Sequence, residues 1–410
     1  MSISVQKQRK TISLGYWIST FCEGTGIIVI PLFLVETGIP ASKIGITFFI
    51  YELAGILTNS IAGFFINRVG YKASFIMSLA LHSLASFGYL LLHPEMDMLI
   101  ALMVLSSLRA IRSMGIELIR TTSSSYFKQF TKFHKKSRFT AVQLLQGGKD
   151  TVKGLGLLSG GILLDQVGFH NTFLILGAGT TISLISAMFL LDDFKERKQT
   201  IKSGFSKIKT DMKLLAFIRM FIYFSRDVWI IVPVPVFLLS QGIDSIQIAT
   251  LLATSLIIFG VLQPLTGSLA KSKLKLGTIE FKNIWRYRDL IPIPTLLLLL
   301  IPLLLLVVPL TFKNIIIAIV LYHVFNAVAT TPHNYLHLKF ARRRRSSMDI
   351  AFYKTISQTG KLAAVFCSGY IYDIYGMKGC LGLSALGLIL AMVIGMFLAT
   401  QKRKESTLGI

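Results

Sequence analysis

The chain predicts an all-α membrane protein of twelve spanning helices in two parallel six-helix repeats. Three observations lead there. Apolar runs of about 20 residues recur along the whole length, enough to cross a bilayer as helices. Basic residues collect in every second loop. Two stretches of the first half return in the second. Composition agrees: 53% of the 410 residues are hydrophobic.

The spans are expected at 12–35, 42–66, 73–92, 97–120, 139–163, 170–191, 214–240, 244–268, 290–310, 314–338, 349–371 and 377–399. No segment has the alternation of a barrel strand. The first apolar segment is followed by more spans and not by a cleavage site. It therefore reads as the first helix rather than a removable signal peptide.

The net charge is +24. Its distribution argues against a nucleic-acid partner. Bases crowd the stretches Lys7 to Lys10, Lys128 to Arg138, Lys195 to Lys213, Lys271 to Arg288, Lys339 to Arg345 and Lys402 to Lys404, with Arg68 and Lys72. The alternate loops hold only Lys43, Lys313 and Lys378. Under the positive-inside rule both termini and the loop 192–213 lie in the cytoplasm of a plasma or inner membrane. The run Arg342 to Arg345 reads as an anchor near anionic lipid headgroups. Cys22, Cys367 and Cys380 show no metal-ligand spacing, and no structural disulfide is expected.

The internal repeat sets Pro31 to Ile39 against Pro235 to Ile243, an offset of 204. Carried along, that offset pairs Glu23 with Asp227, Asn59 with Gln263 and Gly63 with Gly267. A second match sets Gly161, Asp165 and Gly168 against Gly369, Asp373 and Gly376, which pairs Lys153 with Lys361. Two halves, 1–191 and 214–410, follow, with 192–213 as a basic linker. This arrangement resembles that of the major facilitator transporters, which bind near the midplane between parallel repeats. Gly63, Arg68, Gly70 and Lys72 resemble that superfamily's signature loop, although its usual Asp is Asn67 here. Gly154, Gly156, Gly160 and Gly161 suit close helix packing. The Pro expected in an antiporter version of that motif is Leu157.

Nine bases fall inside expected spans: Arg109, Arg112, Arg120, Lys149, Lys153, Arg219, Arg226, Lys354 and Lys361. The acids at comparable depth are five: Glu23, Glu52, Glu117, Asp150 and Asp227. A charge at membrane depth costs about 2.5–3.5 kcal/mol by insertion scales, so it faces a cavity or a partner. The surplus of bases predicts a cavity for an anion. Arg109, Arg112, Lys149, Lys153, Arg226, Lys361 and Asn59 are the expected substrate-binding residues. Guanidinium forks match phosphate, arsenate or carboxylate oxygens. Glu23, Glu52 and Asp227 are expected to orient those bases or carry protons. Glu117 and Arg120 should pair, Asp227 should meet a base from another helix, and Arg219 and Lys354 should snorkel. His323 reads as a hydrogen-bonded histidine. No nucleophile–base motif, phosphate loop or metal constellation appears, so no enzyme and no cofactor is expected.

Four patches resemble the ArsJ organoarsenical efflux permeases. They are Tyr51, Glu52, Thr58, Asn59 and Gly63; Lys149, Lys153, Gly154, Gly156, Gly160 and Gly161; Arg219 with Arg226 to Trp229; and Phe352, Tyr353, Gly360 and Lys361. The resemblance implies export of 1-arseno-3-phosphoglycerate, conferring arsenate resistance, with glyceraldehyde-3-phosphate dehydrogenase as functional partner. Two alternatives stay open: a proton-coupled multidrug exporter, and a transporter-like receptor that moves nothing.

Overall fold

The computed structural model describes residues 5–36, 41–93, 95–130, 138–193, 208–243, 245–274, 291–342 and 345–407. Most of the expected linker, and all of 131–137 and 275–290 within the basic stretches, lie outside these. The described residues are helical nearly throughout. The helices are α1 (Val5–Glu36), α2 (Ala41–Val69), α3 (Tyr71–Gly88), α4 (Met98–Phe130), α5 (Arg138–Leu190) and α6 (Thr210–Ile230). They continue with α7 (Pro233–Ser240), α8 (Ser245–Leu274), α9 (Pro292–Val307), α10 (Phe312–Phe340) and α11 (Ser346–Thr407).

Two of these helices are longer than one span because each is bent. Gly168 interrupts α5 at φ 78°, and Gly376 interrupts α11 at φ 62°. Only glycine enters that region without steric cost, which places each bend. These are the two residues that the second repeat match set against each other. Eight helices among the described residues are long and apolar enough to cross a membrane, and Pro292–Val307 is a shorter apolar helix. With α1, and with α5 and α11 each counted as two arms, the segments follow the order of the twelve expected spans.

The seventh span is broken. α6 stops at Ile230, and Pro233 opens α7 after a two-residue turn. Proline has no N–H to continue a helix, yet it fits the first turn of a new one. The break falls one turn beyond Arg226 and Asp227.

By contacts the chain divides into two compact units. The first holds Met1–Lys132, Gly148–Ser206 and Arg342–Phe352; the second holds Phe133–Gly147, Lys207–Ala341 and Tyr353–Ile410. In the first unit an aromatic core joins α1, the end of α3 and the second arm of α5. Phe33 stacks on Phe169 at 3.9 Å, and Phe173 meets Tyr89 at 4.4 Å. The outward side chains are apolar: Phe189, Val307 and Phe366 are 76%, 86% and 80% exposed. Such surfaces suit lipid, while serines and threonines fill the interior by bonding back to carbonyls of their own helix, as Thr20 does to Tyr16.

Glycines bring α1 and α5 backbone to backbone. A Cβ on Gly24 would overlap the Lys153 carbonyl, and one on Gly156 would overlap the Phe21 carbonyl. Thr25 Oγ1 donates to the Gly156 carbonyl at 3.1 Å across the same crossing. Gly161, from the same motif, faces open space: a Cβ there would meet nothing within 4 Å. Gly156→Ala should therefore lower stability by about 1–3 kcal/mol through forced helix separation. Gly161→Ala should be neutral or slightly stabilising. Thermal melts of the purified variants in detergent check both.

Candidate functional site

The charged residues expected at membrane depth fall into two groups, one in each unit. In the first unit a single hydrogen-bonded chain runs through four helices. Lys153 Nζ on α5 lies 2.7 Å from Glu23 Oε1 on α1. The other Glu23 oxygen takes Arg120 Nη2 from α4 at 2.6 Å. Arg120 also pairs with Glu117 of its own helix. Glu117 Oε2 accepts from Asn59 Nδ2 on α2 at 2.8 Å, and Asn59 Oδ1 accepts from Thr121 Oγ1 at 3.0 Å.

The two bases and two acids of this chain balance. Glu23, Glu117 and Asn59 are buried, while Lys153 is the more open end, with a side chain 23% exposed. The α1–α5 glycine crossing makes the Glu23–Lys153 pair, because it holds the Lys153 backbone against Gly24, the neighbour of Glu23. Glu117 and Arg120 do pair, and Glu23 extends their pair into a network. Asn59, expected to face substrate, spends both ends of its amide on this network. Lys149 sits 2.8 Å from Asp150 Oδ1 beside it in sequence.

Arg109 and Arg112 occupy different surroundings from these. Arg112 is 3% exposed, and its Nη2 donates to the Cys22 carbonyl. Its guanidinium lies 5.8 Å from the Tyr89 ring centre and 5.9 Å from that of Phe173. A Cβ on Gly26 would overlap its Nη1, so glycine there makes room for the arginine. Arg109 lies 5.6 Å from the Tyr51 ring. Glu52, next to Tyr51, is half-buried.

The second unit gathers its bases around one aromatic ring. Arg219, Lys361 and Arg226 lie 4.3, 4.8 and 5.1 Å from the ring centre of Tyr223. An aromatic face attracts cations, by about 0.5–2 kcal/mol each. Three cations on one ring still repel one another. Asp227 answers only one of them: Arg226 Nε lies 2.5 Å from Asp227 Oδ1, and Nη2 lies 3.1 Å from Oδ2. Among the described residues Arg219 and Lys361 have no carboxylate within ion-pair distance.

Two expectations are corrected here. Asp227 meets the base next to it in sequence and not one from another helix. Arginine's long stem lets its fork curl back on a neighbouring carboxylate, and burial rewards that closure. Arg219 does not snorkel; it is 4% exposed and donates to Thr330 Oγ1 at 3.0 Å and Tyr223 OH at 3.1 Å. Tyr223 itself was not singled out from the sequence. The signal was present, since Arg219 and Arg226 stand four before and three after it on one helix face. The symmetric lysines differ: Lys153 is paired with Glu23, while Lys361 rests on Tyr223. His323 Nδ1 lies 2.8 Å from the Ile319 carbonyl, the ordinary hydrogen bond expected of it. An apolar groove lined by Leu238, Ile246, Leu251, Phe312 and Ile316 holds none of these charges.

A helical chain with apolar outward side chains and charged side chains held inside each unit is built as a multi-pass membrane protein. The sequence matches the Major Facilitator Superfamily over residues 12–282 and again over 215–409, and the chain belongs to that superfamily. Its structure is similar to that of a bacterial homologue of the iron transporter ferroportin, solved in an outward-facing state with soaked iron. The TM-score is 0.74 at 12% identity, covering 95% of this chain and 98% of that one. At that identity the likeness shows a shared fold alone. No curated protein sequence matches the chain.

Removing one partner of a buried ion pair strands the other and costs about 3–5 kcal/mol. Glu23→Gln should approach that range, since it strands Lys153 and weakens the hold on Arg120. Adding Lys153→Met should recover part of the loss. A double-mutant cycle from thermal melts reads the coupling, and strictly additive effects would contradict the pairing.

Proposed function

We propose that this transporter exports a small organic anion carrying a phosphate- or arsenate-like group, by alternating access. The observation that carries this reading is the set of three bases on the Tyr223 ring with one carboxylate between them. Such a cluster is short of negative charge, and a multiply charged ligand supplies it. Lys361 and Arg226 are the residues we assign to first contact, being half-buried rather than closed off. Arg109 and Arg112 are assigned to anion binding within the first unit. Lys153, Lys149 and Asn59 contribute through the networks that hold them, with Glu23, Glu52 and Asp227 orienting the bases.

The first candidate ligand is 1-arseno-3-phosphoglycerate, by the resemblance to the arsenical permeases. Glyceraldehyde-3-phosphate dehydrogenase would then supply it. The basic loops support a cell-membrane orientation with both termini cytoplasmic, and the halves 1–191 and 214–410 serve as the working division. Lipophilic cations, the usual cargo of a multidrug exporter, are repelled by this cluster. The same repulsion disfavours the metal named for the structural relative.

Arsenate-sensitive cells expressing the chain with the dehydrogenase should gain arsenate tolerance and lose cell arsenic. Arg226→Ala and Lys361→Ala should abolish that protection while the protein remains in the membrane. Equal tolerance in the variants would remove these residues from the site. No protection by the wild-type protein, confirmed in the membrane, would remove this substrate.

A further inference from the structure

Behind the cation cluster lies a histidine that nothing so far has used. His333 on α10 is 1% exposed, and among the described residues neither ring nitrogen has a hydrogen-bond partner. A buried polar group left unsatisfied costs about 1–3 kcal/mol, so such groups are rare without a reason. Its neighbour supplies one. Arg219 bonds Thr330, which stands three residues before His333 on the same face of α10. Among the described residues, Arg219 and His337 are charged or titratable neighbours of His333. His337 is fixed from both sides: its Nδ1 lies 2.9 Å from the His333 carbonyl, and its ring stacks on Tyr353 at 4.9 Å.

Pro332 sits inside α10 and lacks the N–H that would bond the Val328 carbonyl. Among the described residues the hydrogen-bond partners of the Arg219 guanidinium are two neutral hydroxyls, those of Thr330 and Tyr223. A guanidinium has five N–H donors and imidazole at least one. Both therefore have donors to spare, and among the described residues neither has a carboxylate within ion-pair distance.

We propose that Arg219 and His333 form a deep subsite for one tetrahedral oxyanion head of the ligand. Arg226 and Lys361 then take its second charged end across Tyr223. The ligand class is a short two-headed anion, such as a phosphorylated or arsenylated carboxylate. This inference rests on the anion-export reading above, which assigns no role to His333.

The test uses the full chain in lipid nanodiscs and three probes: 3-phosphoglycerate, glycerate and inorganic phosphate, titrated by calorimetry. The wild type should bind 3-phosphoglycerate more tightly than either single-headed probe. His333→Met, which removes the donor, and Arg219→Lys, which keeps the charge but loses the fork, should each weaken 3-phosphoglycerate about tenfold. Glycerate binding should be unchanged in His333→Met. If either variant retains wild-type affinity for 3-phosphoglycerate, or His333→Met weakens glycerate equally, the subsite is overturned and the anion reading stands. Failure of the wild type to bind any of the three would overturn both.

Discussion

A charge held at membrane depth must find a partner, and this requirement organises the interior of the protein. Lipid offers no counter-ion and no hydrogen bond, so each base is either neutralised by protein or reserved for something else. Glu23 shows the first solution. One carboxylate bridges Lys153 and Arg120, and through Arg120 it reaches Glu117, Asn59 and Thr121. Four helices are tied by that chain, and it leaves no net charge. The glycines of the α1–α5 crossing serve it by bringing the two backbones close enough for a direct contact.

The second unit shows the other solution. Asp227 occupies the position that the repeat sets against Glu23, yet it neutralises only Arg226. Lys361, the counterpart of Lys153, has an aromatic face instead of a carboxylate. The repeat thus preserves where charged residues stand and changes what they meet. The first half carries a closed, balanced network around Glu23, with Arg109 and Arg112 outside it, and the second carries bases gathered on one ring with a single carboxylate. That asymmetry is the physical content of the proposed function, since an anion bound in the second unit supplies the charge that the fold withholds.

Much of the fold was legible in the sequence because its signals are local. Apolar run length marks spans, whereas the break between α6 and α7 and the bends at Gly168 and Gly376 emerged only in the structure, although Pro233 and those glycines cause them. The Glu117–Arg120 pair was legible for the same reason, being three residues apart on one helix. Partners across helices were not. Glu23 meets Lys153 only because of how α1 and α5 cross and rotate, and no spacing in the sequence encodes that. Arg219 looked like a snorkelling residue because its place near a span end says nothing of which way its side chain turns. Tyr223 was passed over because an aromatic residue in a membrane helix is common, and its value lies in three neighbours drawn from two helices.

Locating the anion tests this asymmetry most directly. Crystals of the wild-type protein soaked in arsenate and measured at the arsenic absorption edge would show it by anomalous scattering. An arsenic peak is expected within hydrogen-bonding reach of Arg219, Arg226 or Lys361. A peak confined to the surroundings of Lys153 and Glu23, or to the basic loops alone, would contradict the proposed site.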